Sequence, residues 1–400
     1  MHPDSQHRWS GRRRRRLVQS AAAAVSLTTL LAVGTVTQAQ GSSTLGGRTP
    51  TPLGATVGDT TNRSTQHEGA AFAMTNSSSG NRVVTYERAS NGRLTRVGSV
   101  ATRGRGIGTD LDTQGGLLLS RDHRYLYAAN AGSDNVTVFA VDGTELTFLQ
   151  KVYAGDVPNS LTIHDDLLYV LDGSVAGNGI LGFRVADDGT LTPLRGSFRL
   201  LSSPIAVPGQ VQFSPDGRLL LVTQKTTNTV LSPQNAIDVF RIRSDGTPTA
   251  IPRREASHGL RPFSLAFRNN HHLVVVESFN AAPGLSAASS YEVSPNGALD
   301  VISGSVPNGQ TDTCWVVITR DGRFAFTANF GSGTISSYRF GSEGVVTLTD
   351  GNAAFTGVDS QPVDLALRPN SRHLYMLLRD RVALRHSESK TTVAFSRWAS

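Results

Sequence analysis

Pro215-DGRLLLVT-Gln224 is the stretch whose reading decides the fold. A polar turn, Pro-Asp-Gly-Arg, leads into a run of strand-forming apolar residues that stops at a polar side chain. The same pattern returns in His67-EGAAFAMT-Asn76, Arg121-DHRYLYAA-Asn130, the shorter His164-DDLLYVL-Asp172, Asn269-NHHLVVVE-Ser278, Arg320-DGRFAFTA-Asn329 and Pro369-NSRHLYML-Leu378. Final residues of the seven copies lie 54, 42, 52, 54, 51 and 49 positions apart. A period of about 50 is that of a supersecondary unit repeated along the chain.

Working outward from each copy, six are followed by a strand centred on an aromatic residue: Tyr86, Phe139, Phe183, Phe240, Tyr291 and Tyr338. Each leads to a tight turn, at Asn91-Gly92, Asp142-Gly143, Asp188-Gly189, Asp245-Gly246, Asn296-Gly297 and Glu343-Gly344. The Asn-Gly and Asp-Gly pairs read as two-residue hairpins, which need positive φ. A further strand follows each turn, as in Arg93 to Val100 and Leu191 to Phe198. Ahead of most copies lies a short apolar strand, such as Gln210 to Ser214, Cys314 to Thr319 and Val363 to Leu367. Four short antiparallel strands per unit, with no helical period between them, predict an all-β, seven-bladed β-propeller over residues 68–378. One blade cannot cover its own two faces, whereas blades stacked in a ring cover each other and leave only short edges.

The seventh unit loses the pattern after Leu378. Residues 379–400 form an atypical tail, rich in charge at Arg379, Arg381, Arg385, His386, Glu388 and Lys390. Two alternatives stand. Either Thr391-Thr-Val-Ala-Phe395 closes the ring against the first unit, which begins near Ala70 without an inner strand, or the tail is frameshifted and the seventh blade incomplete.

The net charge of +7 owes five units to Arg12 to Arg16. They head a segment with the three parts of an export signal: this basic run, the apolar stretch Ala21 to Val36, and small residues before a cut after Ala39. The apolar stretch is shorter than the roughly 20 residues that span a bilayer, so no stable membrane anchor is expected. Arg14-Arg15-Arg16-Leu17-Val18 matches the twin-arginine pattern, and the mature chain is expected outside the cytoplasm. Residues 40–67 read as a flexible leader rich in Gly, Ser and Thr. Without its signal the chain is nearly neutral and its Arg residues are scattered, which argues against nucleic-acid binding. The single cysteine, Cys314, excludes an internal disulfide and a multi-cysteine metal site, and its apolar context reads as packing. No cofactor and no structural metal are expected, and the protein is read as a monomer.

Val211-Gln-Phe-Ser-Pro-Asp-Gly217, Leu219 to Lys225, Ile237-Asp-Val-Phe240, Ser289-Ser-Tyr291 and Thr319-Arg-Asp-Gly322 resemble the lactonase family of seven-bladed propellers. That family includes 6-phosphogluconolactonase and the 3-carboxymuconate-lactonising cyclase. The resemblance covers residues 68 to 378 and implies chemistry on small anionic lactones. Two patterns common in the family depart here. Where Pro-His precedes the inner strand, this chain has Gly209. Where Gly-Pro-Arg-His is usual, it has Arg261-Pro-Phe-Ser264, so Arg261 takes over the anion-binding role from two positions earlier, and Glu277 lies near the acidic residue that often ends the next strand.

Propeller ligands sit over the central channel, where starts of inner strands converge. Polar residues at such positions are Asp110, Asp112, Gln114, Asn159, Gln210, Gln212, Arg261, Ser264, Asp312, Trp315, Gln361 and Asp364. From these we take Arg261, Gln210, Gln212 and Trp315 as substrate-binding, and Glu277 and Asp364 as groups that move a proton while Arg261 polarises a carbonyl or holds a carboxylate. Structural roles compete, since buried polar groups must find partners between blades. Gly104-Arg-Gly-Ile-Gly108 opens no helix and reads as a turn, not a phosphate loop. His271 and His272 are adjacent in a strand and face opposite sides, so they cannot share a metal. No nucleophile elbow is present. Two functions follow: a lactonase-type hydrolase or lactonising cyclase acting on a small anionic molecule, or a non-catalytic propeller binding a protein, peptide or glycan as a surface ligand.

Overall fold

The computed structural model describes residues 67–174, 177–203, 205–225, 235–379 and 391–397. The expected export signal, and the leader up to residue 66, lie outside the described residues. Seven antiparallel sheets succeed one another along the chain and form the blades. Blade one holds His67–Met74, Arg82–Ala89 and Leu94–Ala101; blade two holds Leu117–Leu119, Tyr125–Asn130, Asn135–Asp142 and Glu145–Tyr153. Blade three comprises Pro158–His164, Leu167–Asp172 and Gly179–Val185, with the short Leu191–Pro193 and Arg199–Leu200 both paired to Gly179–Val185. Blade four runs Pro208–Phe213, Leu219–Gln224, Ala236–Arg241, Arg253–Ala256, and blade five Pro262–Phe267, His272–Glu277, Ala287–Val293, Leu299–Pro307. Blade six runs Thr313–Ile318, Phe324–Asn329, Thr334–Phe340, Val346–Phe355, and blade seven Pro362–Leu367, His373–Arg379, Thr391–Arg397. No helix of the described residues is long and apolar enough to cross a membrane.

The repeated copies are the second strands, and the six aromatic residues sit on the third. Tyr86 is 6% exposed and Phe139, Phe183, Phe240, Tyr291 and Tyr338 are 0% exposed. Blades splay apart towards the rim of the ring, and large rings fill the widening gap, each contributing about 2–3 kcal/mol of apolar burial. Second strands carry tyrosines whose hydroxyls reach the hairpin turn of the next blade: Tyr127 to Gly189 O at 3.1 Å and Tyr169 to Gly246 O at 2.7 Å. Tyr375 of blade seven donates to Gly92 O of blade one at 3.0 Å, which closes the ring by the same contact.

Three expectations need correction. At the Asn91-Gly92 turn only the glycine has positive φ, +87°. Gly92 N–H donates to Ala89 O and Ala89 N–H to Arg93 O, so the loop has three residues ending in a left-handed glycine, and Asn91 Oδ1 instead caps the N–H of Arg93 at 3.0 Å. The fifth repeat ends at Glu277, not Ser278, because Glu277 pairs with Ala287 as Asn329 pairs with Thr334. Finally, Thr391–Arg397 pairs with His373–Arg379 in register Phe395 to Tyr375, as the third strand of blade seven. It forms no ladder with blade one; among the described residues blades one and seven each have three strands. Hydrogen bonding to its own blade satisfies this segment where it stands, so it is not the closing strand.

Candidate active site

Four inner strands are entered through a residue in the left-handed region: Asp112 (φ 52°), Arg261 (φ 56°), Asp312 (φ 58°) and Gln361 (φ 48°). This kink costs an L-residue of order 1 kcal/mol. It recurs in blades two, five, six and seven, and the Asp112, Arg261 and Asp312 side chains lie close enough to act on one another.

The geometry at the mouth is built around Asp112. Its Oδ2 lies 2.8 Å from Lys225 Nζ and 3.6 Å from Arg261 Nη2. The Lys225 side chain is wholly buried; its ammonium also donates to the backbone oxygen of Asp112 and stands 4.0 Å over the ring of Phe263. Burial lowers the lysine pKa, opposed by the Asp112 charge. Arg379, ending the second strand of blade seven, reaches Asp110 at 3.5 Å, while burial raises the Asp110 carboxyl. Across the mouth, Asp312 is also pushed up by burial and accepts from the Cys314 thiol at 3.3 Å, with Arg261, Asp112 and Lys225 all close enough to act on its charge. The Cys314 thiol is itself pushed well up by burial, so it is no thiolate nucleophile.

Beneath this layer the axis is filled. Phe263, Trp315 and Phe330 pack at tilted angles with ring centroids 5.0 and 6.2 Å apart. Trp315 Nε1 donates to Thr113 O at 2.9 Å, and the Gln114 amide bridges both backbone groups of Val316, donating to its oxygen at 2.9 Å and accepting from its nitrogen at 3.1 Å. Ser160 donates to Gln114 O at 2.6 Å and Thr113 Oγ1 donates to Gly209 O. A segment of blade two that bonds blades three, four and six must lie at the axis, where it forms the floor of the mouth.

Of the residues singled out from the sequence, Arg261 lies in the mouth and Trp315 in its floor. Gln210 accepts from Leu265 N–H at 2.9 Å and donates to Gln212 Oε1 at 3.1 Å, stapling blade four to blade five. Asp364 lies on blade seven with its Oδ1 on the N–H of Leu365 at 2.8 Å; burial pushes its pKa up to about 6, opposed by the N–H groups of Leu365 and Gly115. Glu277 is elsewhere. Its Oε1 accepts from Gly259 N–H at 2.9 Å and Ser289 at 2.5 Å, and its Oε2 from Ser305 at 2.7 Å, so its side chain points outward into blade five, away from Arg261's. Asn130 in blade two and Asn329 in blade six hold the same position and also turn into the blades: Asn130 donates to Asn135 and Thr137 of its own blade and accepts from Asn81 of blade one, and Asn329 donates to Ser336 and accepts from Thr313 within blade six. Lys225 was not singled out by sequence. The signal for it is positional: Lys225, Phe330 and Arg379 each occupy the final or next position of a second strand, in blades four, six and seven, and all three reach the mouth or its floor.

The missing family histidines have a structural counterpart. A Cβ on Gly209 would stand 2.1 Å from Phe263 O and 2.6 Å from Thr223 Oγ1, so no side chain fits there. Ser264, at the other position, is fully buried. Among the described residues no group of three His, Cys, Asp or Glu is placed to hold a metal ion.

A propeller of seven blades with a charged mouth over a sealed axis defines the class of fold. A family model described as "Lactonase, 7-bladed beta-propeller" matches residues 65–207 and 268–373, and the chain belongs to this family. It is 26% identical over 259 residues to a 6-phosphogluconolactonase of Yersinia enterocolitica, covering 51% of this chain and 73% of that one. The fold resembles that of a Bacteroides fragilis protein assigned as a 6-phosphogluconolactonase (TM-score 0.61, 17% identity, 84% of this chain and 96% of that one). It also resembles a periplasmic gluconolactonase of Pseudomonas aeruginosa (TM-score 0.53, 18% identity, 82% and 98%). At these identities the structural likenesses carry the fold and not the chemistry.

Proposed function

We propose that the protein is a lactonase that opens a small lactone bearing an anionic group at the mouth of the propeller. The observation that supports this reading is the meeting of Lys225, Arg261, Asp112 and Asp312, drawn from four blades, over a floor closed by Trp315. Membership of the family and the likeness to a 6-phosphogluconolactonase supply the reaction class.

In the proposed step a water oxygen attacks the lactone carbonyl carbon and its proton passes to the Asp312 carboxylate. The charge that develops on the carbonyl oxygen faces the guanidinium of Arg261, whose positive charge stabilises it. The ring C–O bond then breaks, and the leaving alkoxide takes the proton back from Asp312. An acid raised by burial suits this duty, since its conjugate base is stronger than that of a solvated aspartate. Measured by base uptake at constant pH on a sugar-acid lactone, the wild type should exceed spontaneous hydrolysis, and Asp312→Asn should lower kcat by about a hundredfold or more. Because the base form is required, the rate should rise with pH through a pKa above 3.8. A wild-type rate equal to buffer would leave the second reading, a non-catalytic binding propeller, which the absence of a side chain at Gly209 favours.

A further inference from the structure

We propose that the Asp112 carboxylate is an intramolecular occupant of an anion site formed by Lys225 and Arg261, and that a ligand's carboxylate or phosphate group takes its place. The inference rests on the mouth being the functional site, but not on hydrolysis taking place there. Two cations from different blades converge on one oxygen of one carboxylate. The lysine is wholly buried, so it has no alternative anion in solvent unless one enters the mouth. A buried ammonium without a counter-ion is strongly disfavoured, which explains why the chain supplies a carboxylate when the site is otherwise empty.

Asp112 is also the member of the trio built to leave. Its side chain is 43% exposed, against 0% for Lys225 and 23% for Arg261. Its backbone is in the left-handed region, in a loop entering the short strand Leu117–Leu119, whereas the two cations are anchored beside the longer strands of blades four and five. Arg261 Nε is buried with no hydrogen-bond partner among the described residues, so the guanidinium retains a donor that an incoming oxygen can use. Phe263, under the Lys225 ammonium, keeps the cation in place when the carboxylate moves.

The test is calorimetric titration of the full chain with inorganic phosphate and, separately, with gluconate as the carboxylate probe. Asp112→Asn removes the internal competitor and should tighten at least one of the two by tenfold or more, and adding Arg261→Met to that variant should reverse the gain. Response to phosphate alone identifies a phosphate monoester as the ligand class, and response to gluconate alone a carboxylate. A folded Asp112→Asn protein that binds neither probe more tightly than wild type overturns the proposal. Should Asp112→Asn not fold, the comparison moves to the wild-type background, where Arg261→Met must weaken binding of the better probe severalfold; unchanged binding overturns the proposal equally. Tighter binding by Asp112→Asn without any lactone hydrolysis by wild type would sustain the anion site while removing the hydrolase reading.

Discussion

Asp364→Asn gives a stability change whose sign depends on pH. In the folded protein this carboxyl is pushed up to about 6 from an ordinary 3.8, with burial as the leading cause. The sign follows from proton binding. Below 3.8 the folded and unfolded chains are both protonated and the substitution removes no charge. As pH rises through about 6, the folded state must ionise a carboxylate that it solvates poorly, and stability is lost relative to the unfolded chain. At about 1.36 kcal/mol per pK unit the displacement from 3.8 to about 6 corresponds to about 3 kcal/mol at pH 8. Asp364 is not fully shielded, and water reaching it reduces the expected gain to about 2 kcal/mol. Asn keeps the shape and an acceptor for Leu365 N–H without the charge. Urea unfolding of both proteins at pH 4 and pH 8 should therefore show near-equal stabilities at pH 4 and Asp364→Asn more stable by about 2 kcal/mol at pH 8. A variant less stable than wild type at pH 8 would mean that the ionised carboxylate is well held, and the reasoning from burial would fail.

Glu277→Ala should destabilise by about 3 kcal/mol or more, read as a lowered urea midpoint, because Gly259 N–H, Ser289 and Ser305 lose their buried acceptor. If the folded variant instead keeps wild-type stability and loses activity, Glu277 belongs to the chemistry after all. Gly209→Ala should cost about 3 kcal/mol in the same assay, since its methyl would stand 2.1 Å from Phe263 O and blades four and five would have to part. A neutral Gly209→Ala would show that this junction is loose enough to accept the histidine common in the family.

The blades were legible in the sequence because a stacked ring needs the same things of each unit: an apolar second strand, an aromatic wedge on the third, and a glycine at the turn. Tyr291 and Tyr338 could be placed from their spacing alone, and both are buried between blades. Blade seven was less legible, since its third strand, Thr391–Arg397, is reached across a charged segment with no glycine and so no Asn-Gly or Asp-Gly turn. The site was legible only in part. Arg261, Asp110, Asp112 and Asp312 stand at strand entrances, where blade geometry alone directs them to the axis. Lys225 is contributed from the exit of a second strand, and its pairing with Asp112 joins residues 113 positions apart, a distance that no local pattern encodes. Glu277 shows the converse: an acidic residue at the right place in the repeat has its carboxylate turned into its own blade by Ser289 and Ser305.

The most direct test of the mouth as the reactive centre is kcat/KM for a sugar-acid lactone, measured on wild type and Arg261→Met. The guanidinium is placed both to hold the substrate anion and to receive charge in the transition state, so the account predicts a fall of about a hundredfold or more, with the variant still folded by circular dichroism. A folded Arg261→Met protein that opens the lactone as fast as wild type would contradict it.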